Sequence, residues 1–489
     1  MLADRRAKIV ATIGPSTNSK ENLKKAIEAG MNVARLNFSH GKHEDHLQVI
    51  KYIREISREL KAPVTILQDL QGPKIRVGHF KNDKITLIEG SEIKISPKYE
   101  IGDENHIPSD FAELPQVCNK GTKILLDDGL LELNVLAVNG DEVIAKVIHG
   151  GILKNRKGMN LPGVTLPVDC LTDKDLIDLE FGLANKVDYV ALSFVRYSSD
   201  IKKLKDIIKE KNPGTRVVAK IEMLEALENL EEIVDESDAV MVARGDLAVE
   251  VGQSQLPGFQ KRIIRICNQK KKPVITATQM LDSMVENPRP TRAEITDVAN
   301  AVIDGTDALM LSAESASGKY PFKCISTMHE IICEVERDKD LYYKFSIEDK
   351  FNEVAEAISA SACLSAYKLD ATAIVCLTSS GKTSTLISSF RPQCRIIAVT
   401  HIEETLNRLE LVWGIQTFSI KPYRSTDEAM FQIEEILLKY KLVNVGDKVI
   451  LTLGVPVLEQ AKTNSMRVYT ISGEVPKVSP ENIPLRCRP

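Results

Sequence analysis

At 489 residues the chain is too long for one core of the commonest size, so two or three domains are expected. Its 27% charged and 43% hydrophobic residues describe a globular chain rather than a disordered one, and a net charge of −4 argues against a concentrated basic surface for nucleic-acid phosphates. No stretch approaches the roughly 18 uninterrupted apolar residues of a membrane span. The nine cysteines, odd in number and without a C-x-x-C pair, fit a reducing cytoplasm in which thiols serve as small apolar groups.

The N-terminal stretch MLADRRAKIVATIGPSTNSK has basic residues before a short apolar run that Gly14 and Pro15 end at once. It reads as a first strand, KIVATI, and not as a signal peptide. A helix follows in SKENLKKAIEAG, with Leu23, Ala26 and Ile27 on one face and Gly30 as its stop. VARLNF is the second strand, the charged stretch from His43 to about Leu60 a helix, and VTILQDL the third strand. After Pro73 the rhythm changes. Residues 74–167 are short β-rich pieces such as KITLIEG, EIKIS, KILLDDG and EVIAKVI broken by Gly, Asn and Asp turns, which describes an inserted all-β domain.

The alternation then resumes. YVALSF, RVVAKI, AVMVAR, PVITAT and ALMLSA are near-continuous apolar runs, each followed by a helical segment, as in a parallel sheet covered on both faces. With the first three they make eight strand–helix units over residues 1–73 and 168–340, the number that closes an α/β fold into a (β/α)8 TIM barrel. A doubly wound open sheet is the competing layout. Residues 341–489 hold a further alternation (ATAIVCLT, RIIAVT, GIQTFSI, KVILTLG, MRVYTI), a C-terminal α/β domain of about five strands.

Active sites of such barrels lie at the C-terminal ends of the strands. There the sequence places Arg35, Asn37 and Ser39 after the second strand, Asp69 after the third, and Ser193 after the fourth. Lys220 and Glu222 end the fifth, Arg244 and Asp246 the sixth, Thr278 and Gln279 the seventh, and Ser312 and Glu314 the eighth. Strand ends are also polar simply because they reach solvent, but two carboxylates, a lysine and an arginine on one rim favour a site. Side chains alternate along a strand, so Lys220 and Glu222 point to the same side. Glu222 and Asp246 suit a hard divalent cation such as Mg²⁺, with Lys220 a fixed charge aimed at a substrate oxygen. The alternative is a buried ion pair of Lys220 with Glu222 or Asp246, a weak stabiliser once desolvation is counted.

Two further motifs carry less. Arg244-Gly245-Asp246 matches a cell-adhesion tripeptide but directly follows a buried strand. TSSGKTS, residues 378–384, resembles a P-loop, yet Cys376 stands where G-x-x-x-x-G-K-[ST] needs its first glycine, so a nucleoside-triphosphatase loop is not expected. Hydroxyls, one Gly and one Lys between a strand and a helix suit a ligand phosphate; a solvated loop is the alternative.

The segments KIVATIGPST, GMNVARLNFSHG, KGMNLPGV, LTDKD, ALSFVR, AKIE, MVARGDL, TATQML, NPRPTRAEITDVANAV and GTDALMLSAESASGKYP, in this order, resemble the pyruvate kinase family over essentially the whole chain. The resemblance implies a barrel with a mobile β-domain inserted after the third strand and an α/β domain at the C-terminus. It also implies phosphoryl transfer from phosphoenolpyruvate to ADP, giving pyruvate and ATP, in a cytoplasmic homotetramer that a phosphorylated metabolite activates. Neither nucleic acid nor a membrane is an expected partner. Carried over by motif, Glu222 and Asp246 would hold Mg²⁺, with Mn²⁺ as a possible substitute. Lys220 and Arg35 would meet the phosphoryl group, Gly245, Asp246, Thr278 and Ser193 would bind substrate, and Thr278 with Ser312 would serve the proton path to the enolate carbon. Arg76, Lys174, Asn37, His40 and Pro15 would bind the nucleotide, and Thr378, Ser379, Ser380, Lys382 and Thr383 the effector.

The chain departs from the commonest family pattern at Met223, where Asn is frequent, and at Ala248, where Gly is frequent; neither removes a charge. Asn37, Ser39 and Asp69 match ligands of K⁺, but Leu70 replaces Thr and Lys74 stands where K⁺-requiring members have Glu. An ammonium there would repel a second monovalent cation, so K⁺ is expected not to be required. In animal-type members a loop near the C-terminus brings a Trp and an Arg to a second effector phosphate; the matching stretch LGVPVLEQAKTNSMRV offers neither at that place, which favours a sugar monophosphate or AMP. Another phosphoenolpyruvate-using barrel would carry a phosphohistidine domain, which the sequence lacks. A catalytically silent effector-binding protein is disfavoured by intact Lys220, Glu222 and Asp246.

Overall fold

The computed structural model describes residues 5–342, 351, 353–456 and 462–473. Residues 457–461 of the stretch read for effector choice lie outside the described residues. Eight parallel strands close into a barrel: Lys8–Thr12, Val33–Asn37, Thr65–Asp69, Tyr189–Leu192, Arg216–Ile221, Ala239–Ala243, Val274–Ala277 and Ala308–Leu311. Lys8 to Ala11 pair in register with Ala308 to Leu311, which excludes the open sheet. Both faces of these strands are apolar. Val10, Leu67, Val218, Met241, Ile275 and Met310 fill the interior, while alternate residues such as Ile9, Ile66, Val217 and Val242 meet the surrounding helices. The first helix, Lys20–Ala29, starts where Ser19 Oγ accepts from Asn22 N–H at 3.2 Å, buries Leu23, Ala26 and Ile27, and ends at Gly30, whose φ of 123° an L side chain rarely adopts.

Between the third and fourth barrel strands the chain forms a six-stranded sheet and two two-stranded ones. Its longest hairpin, Leu131–Asn139 against Glu142–His149, turns at Gly140 and Asp141, with Gly140 at φ 62°. Alternate residues, among them Ile95, Ile107, Leu126, Leu133 and Val147, give this part a core of its own. A single helical turn, Leu114–Val117, corrects the expectation of an all-β insertion.

The C-terminal domain is a five-stranded sheet whose last strand, Ser465–Thr470, runs antiparallel to Lys448–Leu453. The segment after its helix Glu403–Leu409 closes the end of the barrel opposite the mouth: Leu411, 0% exposed, joins the barrel interior. Around it Lys8 Nζ donates to Ile415 O at 2.6 Å, Asn32 Nδ2 to Glu410 Oε2 at 2.9 Å, and Trp413 N–H to Asp307 Oδ1 at 3.3 Å. That leaves the C-terminal strand ends as the open face of the barrel.

Candidate active site

Lys220 occupies the centre of the mouth. As alternation requires, it shares a face with Glu222, whose Oε1 lies 2.9 Å from Lys220 Nζ. The same ammonium stands 3.2 Å from Asp69 Oδ1, without hydrogen-bond geometry, and donates to Ser193 Oγ at 2.7 Å. Arg35 Nε donates to Asp69 Oδ2 at 2.6 Å, and its Nη1 donates to Thr12 Oγ1 at 3.0 Å. Strand closure thus brings together residues from the ends of the first five strands. Asp69, Ser193 and Glu222 are each 1% exposed.

Burial acts on every charge here. It opposes the ammonium of Lys220, but Asp69 and Glu222 outweigh it and raise the pKa above the usual lysine value, so Lys220 stays a cation at neutral pH. Burial likewise opposes the Asp69 carboxylate, but Lys220 and Arg35 outweigh it and hold the group below the usual range. For Glu222 burial dominates and Asp246 adds to it, raising the carboxyl against the pull of Lys220. Ion pairs of this kind stabilise little once desolvation is counted, so a site is the stronger reason for keeping them.

The sixth strand ends at Ala243 and passes straight into the helix Arg244–Val251, which puts Gly245 and Asp246 in its first turn with unpaired N–H groups. A Cβ on Gly245 would lie 3.7 Å from Thr278, so this turn faces the end of the seventh strand. Thr278 and Gln279 have φ of 71° and 51°, a strained pair for non-glycine residues. Arg244 holds them. The sequence placed Arg244 on the rim, but its side chain is buried, pairs with Asp297 at 2.7 Å, and donates to the carbonyls of Ala277, Thr278 and Gln279 at 3.1, 2.5 and 3.3 Å. It shapes the rim from behind. Glu314 does the same for the eighth strand, accepting from the N–H groups of Ser312 at 2.6 Å and Leu281 at 3.2 Å. The Thr278 hydroxyl donates to Ala277 O at 2.6 Å.

Lys74 lies 3.6 Å from Asp246 Oδ1 and 3.9 Å from Asp128 Oδ1 on the inserted domain. Asp69 is engaged by Arg35 and Lys220. Asn37 Oδ1 accepts from Ser39 N–H at 3.1 Å, and Leu70 is 1% exposed with its carbonyl on Ser193 Oγ at 2.7 Å. Lys174 Nζ donates to Phe38 O at 2.7 Å and pairs with Asp178 at 2.5 Å, beside the second strand's end. His40 and Pro15 are exposed, and Arg76, on the inserted domain, donates to Arg156 O at 3.2 Å. Two partners went unread in the sequence. Thr12, which receives Arg35, ends the first strand, and the strand-end rule applied there would have found it. The N–H of Phe194, which donates to Glu222 Oε2 at 2.7 Å, leaves no sequence signal because it is backbone.

Among the described residues no group of three or more His, Cys, Asp or Glu side chains is arranged to hold a metal by itself. Glu222 and Asp246 offer hard oxygen donors in a pair, which fits Mg²⁺, an ion that keeps waters and substrate oxygens in its remaining positions. Away from the mouth, Thr378, Ser379, Ser380, Lys382 and Thr383 line a cavity of about 140 Å³ together with Lys462. Gly381, at φ 84°, caps the helix Lys382–Ser389, its N–H donating to Thr378 Oγ1 at 3.0 Å. Lys382 pairs with Glu353 at 3.1 Å.

Comparison with known proteins matches two family models. The one described as pyruvate kinase, barrel domain, covers residues 4–325, and the one described as pyruvate kinase, alpha/beta domain, covers residues 356–469. A pyruvate kinase of Geobacillus stearothermophilus is 44% identical over 474 residues, 96% of this chain and 81% of the relative. One of Staphylococcus aureus (strain MRSA252) is 43% identical over 475 residues, again 96% and 81%. A crystal structure of a pyruvate kinase from Cryptosporidium parvum superposes with a TM-score of 0.89 at 36% identity, covering 96% of this chain and 97% of that one.

Proposed function

The chain belongs to the pyruvate kinase family and so transfers the phosphoryl group of phosphoenolpyruvate to ADP, giving pyruvate and ATP in the last step of glycolysis; from this premise we propose that the barrel mouth around Lys220 is where the transfer occurs. The observation that carries the proposal is the Lys220 ammonium held between Asp69 and Glu222 at 3.2 and 2.9 Å. Phosphoryl transfer asks for positioning and charge neutralisation more than covalent chemistry. Lys220, a cation at neutral pH, faces charge on the transferring group and the forming enolate, and Arg35 approaches the same group from the second strand. The N–H groups of Gly245 and Asp246, at a helix N-terminus, cradle the substrate carboxylate with the Thr278 hydroxyl. Thr278 would also serve the water-mediated proton path to the enolate carbon, its hydroxyl passing on one proton as it takes another from water, with Ser312 in the same path. Arg76, Lys174, Asn37, His40 and Pro15 line the nucleotide side.

Pyruvate kinases generally use Mg²⁺ and K⁺. Here Glu222 and Asp246 would hold Mg²⁺, or Mn²⁺ in its place, which when bound neutralises charge on substrate oxygens. K⁺ is proposed to be dispensable, because the Lys74 ammonium already brings a monovalent charge to this rim. Residues 74–167 form the lid that keeps water from the phosphoryl group, residues 1–73 and 168–340 the catalytic barrel, and residues 341–489 the effector domain. A single-phosphate metabolite binds at residues 378–383 and activates a cytoplasmic homotetramer. The test is a lactate-dehydrogenase-coupled assay of Asp246→Asn and Lys220→Met. Turnover should fall by several orders of magnitude in both, with a higher Mg²⁺ requirement in Asp246→Asn; wild-type turnover in either would overturn the assignment.

A further inference from the structure

The segment Ser193–Tyr197, which follows the fourth barrel strand, touches both linkers of the inserted domain and both charges at the centre of the mouth. Ser193 Oγ accepts from Lys220 and donates to Leu70 O, at 2.7 Å each, on the linker leading into the insertion. Phe194, at φ 56°, gives its N–H to Glu222 Oε2 at 2.7 Å, and its ring lies so close to the same linker that a Cβ on Gly72 would come within 2.7 Å of it. Two residues on, Arg196 reaches the returning linker: Nη1 donates to Leu166 O at 2.6 Å and Nη2 to Val168 O. That linker has no regular secondary structure to satisfy its carbonyls, so the guanidinium fork supplies the partners. The backbone of Arg196 is itself fixed, its N–H on Asp200 Oδ2 at 3.0 Å and its carbonyl on Asn229 Nδ2 at 3.3 Å.

Beside this clasp is a cavity of about 30 Å³, bounded from the inserted side by Asn160 and Leu161 and from the barrel by Phe194, Arg196, Met223 and Glu250. Asn160 Oδ1 is buried there without a hydrogen-bond partner. Close-packed interiors resist rearrangement, so incomplete filling at a junction leaves room for the linkers to shift. The joint is therefore incompletely filled, and beside the contacts of Lys74 with Asp246 and of Gly163 N–H with Glu250 it is held by the two-pronged bond of Arg196, made by the same loop that holds Glu222 through Phe194.

We infer that Arg196 is a positioning residue for phosphoryl transfer: its bonds to Leu166 and Val168 set the inserted domain relative to the loop that fixes Lys220 and Glu222. The inference rests on the reading of residues 74–167 as a lid over that site. Arginine is required because a lysine has no planar fork and reaches one carbonyl at a time.

The test compares wild type, Arg196→Ala and Arg196→Lys in three measurements. These are steady-state turnover with KM for ADP and for phosphoenolpyruvate, the melting temperature, and the distance distribution between spin labels carried by a keto amino acid at Lys120 in the insertion and at Lys209 on the barrel. The distances are read with and without phosphoenolpyruvate and Mg²⁺. In Arg196→Ala, kcat should fall about tenfold or more, equivalent to about 1.4 kcal/mol, with a raised KM for ADP and a broadened distance distribution at a nearly unchanged melting temperature. Arg196→Lys, with one prong left, should be intermediate in both kinetics and distances, and it carries the test if the alanine variant does not fold. Turnover within a factor of about two of wild type, or lost turnover with the wild-type distance distribution, would overturn the inference. A wild-type distribution that does not respond to phosphoenolpyruvate and Mg²⁺ would instead remove the lid reading beneath it, a distinct result because no variant is involved.

Discussion

Lys74 pairs with Asp246 and Glu250 feels its charge, and each makes a prediction that one side chain decides. With its ammonium 3.6 Å from Asp246, Lys74 leaves little electrostatic room for a further monovalent cation. Turnover at fixed ionic strength should therefore be nearly the same in K⁺ and in tetramethylammonium, and Lys74→Glu should acquire a K⁺ dependence; strong K⁺ activation of the wild type would contradict this. Glu250, whose Oε2 lies 3.5 Å from Gly163 N–H on the insertion, is pushed up to about 7, chiefly by burial, with Glu225 and Asp246 adding to it and the Gly163 N–H opposing. A carboxyl raised in the folded state keeps its proton where the unfolded chain has lost it. Its contribution is then complete below the ordinary value of 4.5 and disappears as pH rises to about 7. In the metal-free protein, denaturant unfolding between pH 5 and 8 should show Glu250→Gln losing less stability than wild type, by at most about 3 kcal/mol. Parallel pH profiles for the two proteins would remove the effect.

The loop before the helix Lys382–Ser389 shows how one element carries both a proposed binding surface and a structural demand. Gly381 combines φ 84° with a position where a Cβ would lie 2.9 Å from Leu409. Gly381→Ala is expected to cost about 1–3 kcal/mol through backbone strain and to distort the loop of residues 378–383. If residues 378–383 bind a single-phosphate activator, a sugar monophosphate or AMP should shift the phosphoenolpyruvate saturation curve to lower concentrations, and Lys382→Ala should abolish that shift while leaving turnover without activator unchanged. A bisphosphate acting as the strongest activator would refute the preference for one phosphate.

At the scale of the molecule, one segment joins that loop to the barrel. Thr405 Oγ1 donates to Ser379 O at 2.7 Å, and six residues further on Leu411 sits in the barrel interior. The proposed effector loop is thus tied to the barrel that carries the proposed transfer site, and a contiguous link of this kind is one physical route for coupling them. Thr405→Val should weaken the activator's shift of the saturation curve and leave unactivated turnover in place; an undiminished shift would rule out this route. Leu411→Ala should destabilise the protein by about 2–5 kcal/mol, read by denaturant unfolding, because the buried interior cannot collapse around the lost side chain.

The eight-stranded barrel was legible because its cause is local: a strand buried on both faces is a run of apolar residues, and eight such runs separated by amphipathic helices leave few layouts. The shared face of Lys220 and Glu222 was legible for the same reason, since alternation along a strand needs no partner. What the sequence could not contain was which charges meet. Asp69, matched to the monovalent-cation region, bridges Arg35 and Lys220, and Arg244, expected on the rim, turns behind it to hold the strained carbonyls of residues 277–279. Lys74 finds Asp246, and Leu411 plugs a barrel that begins four hundred residues earlier. Each of these depends on the closure and register of strands far apart in the chain. Periodicity records which face a side chain takes; only the folded barrel decides what stands opposite that face.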